Sequence, residues 1–165
     1  MTDSAFPAAP FAAPTCIDVD ATPLAVVRHE GVRIDALVPL FDAGYAAIGS
    51  LFADGALVPT GPAIAVYYGD PMDTFDLELG FPVANAPVQP ISVGEAEVRA
   101  SALPAGPAYA STHIGPYDDL GAAWQSLAHA VDVEPVGVWI ESYVGNPVDT
   151  APGRLRTDLI MPVRG

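Results

Sequence analysis

The sequence predicts an α+β domain. Two copies of a strand-helix-strand-strand unit form one antiparallel sheet, with two helices on one face and a ligand cleft on the other. Three observations carry this. First, short motifs recur in the same order at the same kind of junction. His29-Glu30-Gly31 returns as His113-Ile114-Gly115, 84 positions on; Gly69-Asp70-Pro71 returns as Gly145-Asn146-Pro147, 76 on; Phe81-Pro82-Val83 returns as Met161-Pro162-Val163, 80 on. Second, each copy holds one segment with helical spacing of its apolar residues, and such a helix buries its stripe on a sheet. Third, the other apolar segments are short, β-branched or aromatic, and bounded by Gly and Pro, as strands are. The copies span about residues 17–83 and 97–163, inside a single domain over residues 16–165.

In chain order, residues 1–15 alternate Pro and Ala without periodicity and are expected to form a flexible tail. Residues 24–29 (LAVVRH) are a strand introduced by Pro23. Residues 34–52 are the first helix, with Ile34, Leu37, Val38, Phe41, Tyr45, Ile48 and Phe52 as its stripe. Pro39 there signals a kink or a late start. Residues 63–68 (AIAVYY) are a strand, and 75–81 (FDLELGF) alternate apolar and acidic as a half-buried strand does. Residues 84–94, with Pro87 and Pro90, read as a linker. Two strands follow at 97–102 and 108–114. The second helix runs over 116–131, with Pro116 suited to its first turn and Asp118 and Asp119 to its positive end. Its stripe is Tyr117, Leu120, Trp124, Leu127 and Val131.

The strand at 136–145 (VGVWIESYVG) is the informative one. Alternation places Val138, Ile140, Ser142 and Val144 on one face and Trp139, Glu141 and Tyr143 on the other. The aliphatic face suits packing under helices. The other face sets a carboxylate between two rings, which suits a flat cationic ligand through charge and cation–π attraction. Aligning the halves matches Glu141 with Ala65, Tyr143 with Tyr67, and Glu78 with Asp158. Tyr67, Glu78, Trp139, Glu141, Tyr143 and Asp158 are therefore expected on the helix-free face, with Glu78 and Asp158 toward the rim. Tyr117 is expected to reach the same cleft from its helix end, and Tyr68 to face the helices. A last strand covers 155–163.

Composition narrows the partners. The net charge is −14 and all six basic residues are arginines, so no basic patch exists to grip a nucleic-acid backbone, while the acidic field attracts cations. No apolar run is expected to cross a membrane, and no signal peptide opens the chain. A single cysteine, Cys16, fits a cytoplasmic location. The three histidines show no ligand spacing, so neither a metal nor another cofactor is expected; His29 and His113 read as turn-stabilising.

HIGPY at 113–117, WIESY at 139–143, GNP at 145–147 and RTDLIMPV at 156–163, with AVYYGDP at 65–71 and DLELGFPV at 76–83, resemble the GyrI-like small-molecule-binding domains. These also occur as effector-binding modules of AraC-type and MerR-type multidrug regulators. The resemblance covers residues 17–163. It implies the duplicated fold above, ligands that are bulky, aromatic and often cationic, and a site glutamate that falls on Glu141. It also implies a stand-alone member that senses or sequesters a drug or toxin. Two other readings stay open. One is a hydrolase of strained electrophiles, with Glu141 activating water and Tyr143 or Tyr67 donating a proton. The other is a protein inhibitor of a basic partner such as gyrase.

Overall fold

A computed structural model describes residues 10–70, 73–144 and 150–164. The strands are β1 (Thr15–Val19), β2 (Pro23–Val32), β3 (Ile64–Gly69), β4 (Phe75–Pro82), β5 (Ile91–Val93), β6 (Ala96–Ala102), β7 (Gly106–Ile114), β8 (Val138–Val144) and β9 (Arg156–Pro162). The helices are α1 (Leu37–Ala53) and α2 (Leu120–Ala130), each entered through a 3-10 turn, Ile34–Ala36 and Tyr117–Asp119.

All nine strands form one sheet in the order β1-β7-β9-β8-β3-β4-β2-β6-β5. Each pairing is antiparallel. The duplication is visible in this order: β7-β9-β8 and β2-β4-β3 are the same three strands of each unit, meeting at the β3–β8 seam. Across that seam Ala65 is the Cα partner of Glu141. Ala65 and Glu141 are also the matched positions of the two units, so the pseudo-twofold axis passes through this pair. β6 and β5 extend one end of the sheet and β1 the other.

Both helices lie on one face. α1 sends Leu37, Leu40, Phe41 and Tyr45 onto Ala65, Tyr67, Leu77 and Leu79. α2 sends Leu120, Ala123 and Trp124 onto Leu159 and Met161. Gly44 explains how closely α1 settles, since a Cβ there would stand 3.3 Å from Leu79 Cδ1. The helix is therefore rotated from the expected stripe. Gly44, Ala47, Ile48 and Leu51 are its buried residues, while Val38 is 72% and Ile34 59% exposed. Pro39 marks a late start, in the first turn where its missing N–H costs nothing.

Contrary to expectation, one segment is long and apolar enough by composition to cross a membrane: Ile34–Ala53, 20 residues with a mean hydropathy of 1.5. Here one side of it is docked on the sheet.

The opposite face differs more sharply from expectation. It is not open. Leu24, Val26, Ile64, Val66, Ala108, Ala110, Ile140 and Ile160 form a core there with no accessible surface. Among the described residues no helix covers them, so the sheet's own curvature must enclose them. Leu103, just after β6, belongs to this core, and Phe11, ahead of β1, packs against it. The compact, branched side chains of Val138, Ile140 and their neighbours suit the inside of a curled sheet, where large rings would not fit. The cleft expected on the helix-free face is thus replaced by core, and the ring-bearing face lies beneath the helices.

Other differences are local. Strand β1 opens at Thr15, the last residue of the expected tail, and residues 1–9 lie outside the described ones. The expected linker contains β5, which forms a hairpin with β6. The expected turn at 145–147 lies outside the described residues, as does Pro71.

Candidate functional site

Glu141 lies on the pseudo-twofold axis, on the helix side, and is only 5% exposed. Its Oε1 accepts hydrogen bonds from the hydroxyl of Tyr67, at 2.9 Å, and from that of Tyr143, at 2.5 Å. Tyr67 and Tyr143 are matched positions of the two units, so symmetry brings two equivalent phenols to one carboxylate. Ala65, small and fully buried, leaves room for the glutamate that its own unit lacks. Trp124 Nε1 on α2 donates to Oε2 at 2.8 Å. A carboxylate offers about four acceptor positions, so one on Oε2 remains among the described residues.

Rings surround this group. Tyr143 meets Phe41 at 6.0 Å and Tyr117 at 5.6 Å between centroids. Trp124 meets Trp139 edge-on at 5.6 Å, and Tyr67 meets Phe75 at 5.3 Å. Trp139 Nε1 donates to the Gly69 carbonyl, and Tyr45 donates to the Ile64 carbonyl. Burial, then the Glu141 charge, pushes the hydroxyls of Tyr45, Tyr67 and Tyr143 well above the ordinary phenol range. The same two causes raise Tyr117 less. Tyr45, Tyr67 and Tyr143 therefore stay protonated and serve as neutral donors. Glu141 is a buried carboxylate served by neutral donors, with rings on several sides.

Tyr67, Trp139, Glu141, Tyr143 and Tyr117 thus come together as expected, although under the helices. Tyr117 is 38% exposed at the start of α2. Glu78 and Asp158 do not join them. They point into the curled side of the sheet and are buried at 6% and 0% exposure, not placed at a rim. Glu78 accepts from Tyr68, Ser101 and Arg28. Asp158 accepts from Thr112 and, through both oxygens, from Arg156. Each is satisfied within the fold, so both are structural ion pairs. Their face follows from alternation: Leu77, Leu79, Thr157 and Leu159 take the helix side, which leaves the intervening carboxylates the other.

Tyr68, expected beneath the helices, lies on the helix-free face with Arg28 over its ring at 5.4 Å. The register of β3 is as expected; the helices lie on the other side of it. His113 Nε2 is 3.1 Å from the Pro116 carbonyl and holds the turn into α2. His29 Nε2 is buried without a hydrogen-bond partner among the described residues, and burial lowers its pKa. Trp124, Tyr45 and Phe41 were missed as site residues. All three sit on helical stripes that read as core, and only Trp124, whose polar Nε1 needs a partner when buried, carried a signal.

Two open grooves lie elsewhere. One of about 410 Å³ runs between α1 and β6, past His29 and Arg99. A second, of about 340 Å³, adjoins it beside Ala43 and Val93. Neither includes Glu141.

The fold has solved counterparts. The EcmrR C-terminal domain superposes with a TM-score of 0.73 at 19% identity, over 92% of this chain and 97% of that one. SAV2435 in its tetraphenylphosphonium-bound form superposes at 0.68 and 9% identity, over 93% and 94%. A hydrolase encoded by lin2189 from Listeria innocua superposes at 0.63 and 16% identity, over 95% and 94%. At these identities the likeness speaks for fold alone. No curated protein matches in sequence. The model of the GyrI-like small molecule binding domain matches residues 12–164, nearly the whole chain, and the protein therefore belongs to that family.

Proposed function

We propose that the Glu141 site binds bulky aromatic compounds carrying a positive charge, and that the protein senses or sequesters them. The observation that carries this is the buried carboxylate with no basic partner among its hydrogen-bond donors, enclosed by rings. An ionised group is costly to bury unless it is compensated. Neutral donors compensate it in part, and a ligand cation would do so fully, with cation–π attraction from the rings. SAV2435 takes a lipophilic cation on the same fold, which supports the same ligand class here. Entry requires rings to part. Leu127 is the one buried residue of α2, against four in α1, so α2 is the lighter-held side.

Hydrolysis is the second reading, favoured by the 2.5 Å contact between Tyr143 and Glu141, which resembles an acid–base pair. The raised pKa of Tyr143 argues against it, because a phenol held above its ordinary range gives up its proton less readily.

Calorimetry with tetraphenylphosphonium tests the binding reading. Glu141→Gln should weaken it by at least about tenfold, near 1.4 kcal/mol. Equal affinity in the two proteins would sink the proposal. Mass analysis of strained electrophiles incubated with the protein separates the readings, since turnover that vanishes in Glu141→Gln favours the hydrolase.

A further inference from the structure

We infer that Thr157 is a second polar contact of this site, so that its ligand carries a neutral hydrogen-bonding group besides its positive charge. The inference rests on the reading of Glu141 as the ligand's countercharge. Thr157 has no accessible surface, and its Oγ1 has no hydrogen-bond partner among the described residues. Buried hydroxyls are nearly always paired, and an unpaired one disfavours the fold.

The duplication supplies an internal control. Glu78 and Asp158 are matched, so the preceding residues, Leu77 and Thr157, are matched as well. Leu77 fills its place with carbon and is fully buried. The second unit thus sets polar groups at two positions, 141 and 157, where the first has Ala65 and Leu77. Both lie on the helix side. Thr157 pairs with Tyr143, and Glu141 pairs with Leu159 on the same two strands. Glu141 and Thr157 are therefore diagonal neighbours, roughly 7 Å apart at their β-carbons. Tyr143, whose hydroxyl is committed to Glu141, stands beside both. The open acceptor position on Glu141 and the free hydroxyl of Thr157 form a two-point site for charge and hydrogen bond. A bare phosphonium satisfies only the first; a protonated aromatic amine with a carbonyl oxygen satisfies both.

The test uses a matched pair of protonated amines, N-[2-(diethylamino)ethyl]benzamide and N,N-diethyl-4-phenylbutylamine, which differ only by the amide. Thr157→Val should weaken the benzamide by about fivefold and leave the phenylbutylamine unchanged or tighter. Thr157→Ser should restore the benzamide. Without ligand, Thr157→Val should melt at a higher temperature than wild type, because it removes an unpaired hydroxyl. A lower melting temperature would mean that the hydroxyl has a structural role, and that overturns the inference. So does an equal change for the two amines. If Glu141→Gln still weakens both amines, the Glu141 reading survives that failure. If wild type binds neither, both readings fall together.

Discussion

Ala65 and Glu141 face each other across the seam of the two halves, and they are also the same position of the duplicated unit. A residue on a pseudo-twofold axis is reached equally from both sides. That is why one carboxylate collects the hydroxyls of Tyr67 and Tyr143, which lie 74 and 2 positions away in the chain. The asymmetry at the axis, alanine against glutamate, gives the site a single charge where strict symmetry would give two or none.

The three donors on Glu141 should be separable by mutation. A hydrogen bond to a charged group contributes about 1.5–3 kcal/mol. Tyr67→Phe, Tyr143→Phe and Trp124→Phe should each lower the unfolding free energy by about that amount. Tyr67 and Tyr143 share one oxygen, so their double mutant should depart from additivity by at least about 0.5 kcal/mol. Chemical denaturation of the wild type and these four variants measures this, and strict additivity of the tyrosine pair would contradict the shared-oxygen geometry.

Asp158 should behave oppositely to Glu141. Its side chain is 1% exposed and its partner Arg156 13%, so Asp158→Asn removes one charge of a buried ion pair. Removing one member of a buried pair costs about 3–5 kcal/mol. Asp158→Asn should therefore lower stability strongly while leaving affinity for tetraphenylphosphonium unchanged in the folded fraction. Lost affinity with full stability would place Asp158 in the site after all.

The tyrosines set an alkaline limit. Burial, then the charge of Glu141, holds Tyr45, Tyr67 and Tyr143 above the unfolded value of 10.0. Tyr68, raised by burial and then by Glu78, reaches about 12. The folded protein keeps these protons more tightly than the unfolded chain. Their contribution to stability is thus intact below about pH 10 and drains away as the pH rises through their folded values. Tyrosinate absorbance should show these groups ionising late in the native protein and near pH 10 in urea. Ionisation of all six tyrosines together near pH 10 in the native protein would contradict the burial.

Much of this was legible in the chain. The repeat of His-x-Gly, Gly-x-Pro and x-Pro-Val junctions identified two equivalent units, and period-2 alternation grouped Trp139, Glu141 and Tyr143 correctly, because both are local backbone properties. Alternation also separates Glu141 from Ser142 without saying which face a helix covers. Ile140 and Trp139 are both apolar, so β8 offers two plausible core faces. Only the assembled sheet decides between them. Its curvature encloses the compact side chains of Val26, Ile64, Ile140 and Ile160, and the helices are left to cover the rings. That choice sent Glu78 and Asp158 to their arginines. It also placed Trp124, on α2, where its Nε1 could donate to the carboxylate. The sequence by itself determined the units and the spacing along each strand; the side on which Glu141 is buried, and the partners that surround it, depended on long-range packing between elements that no local pattern encodes.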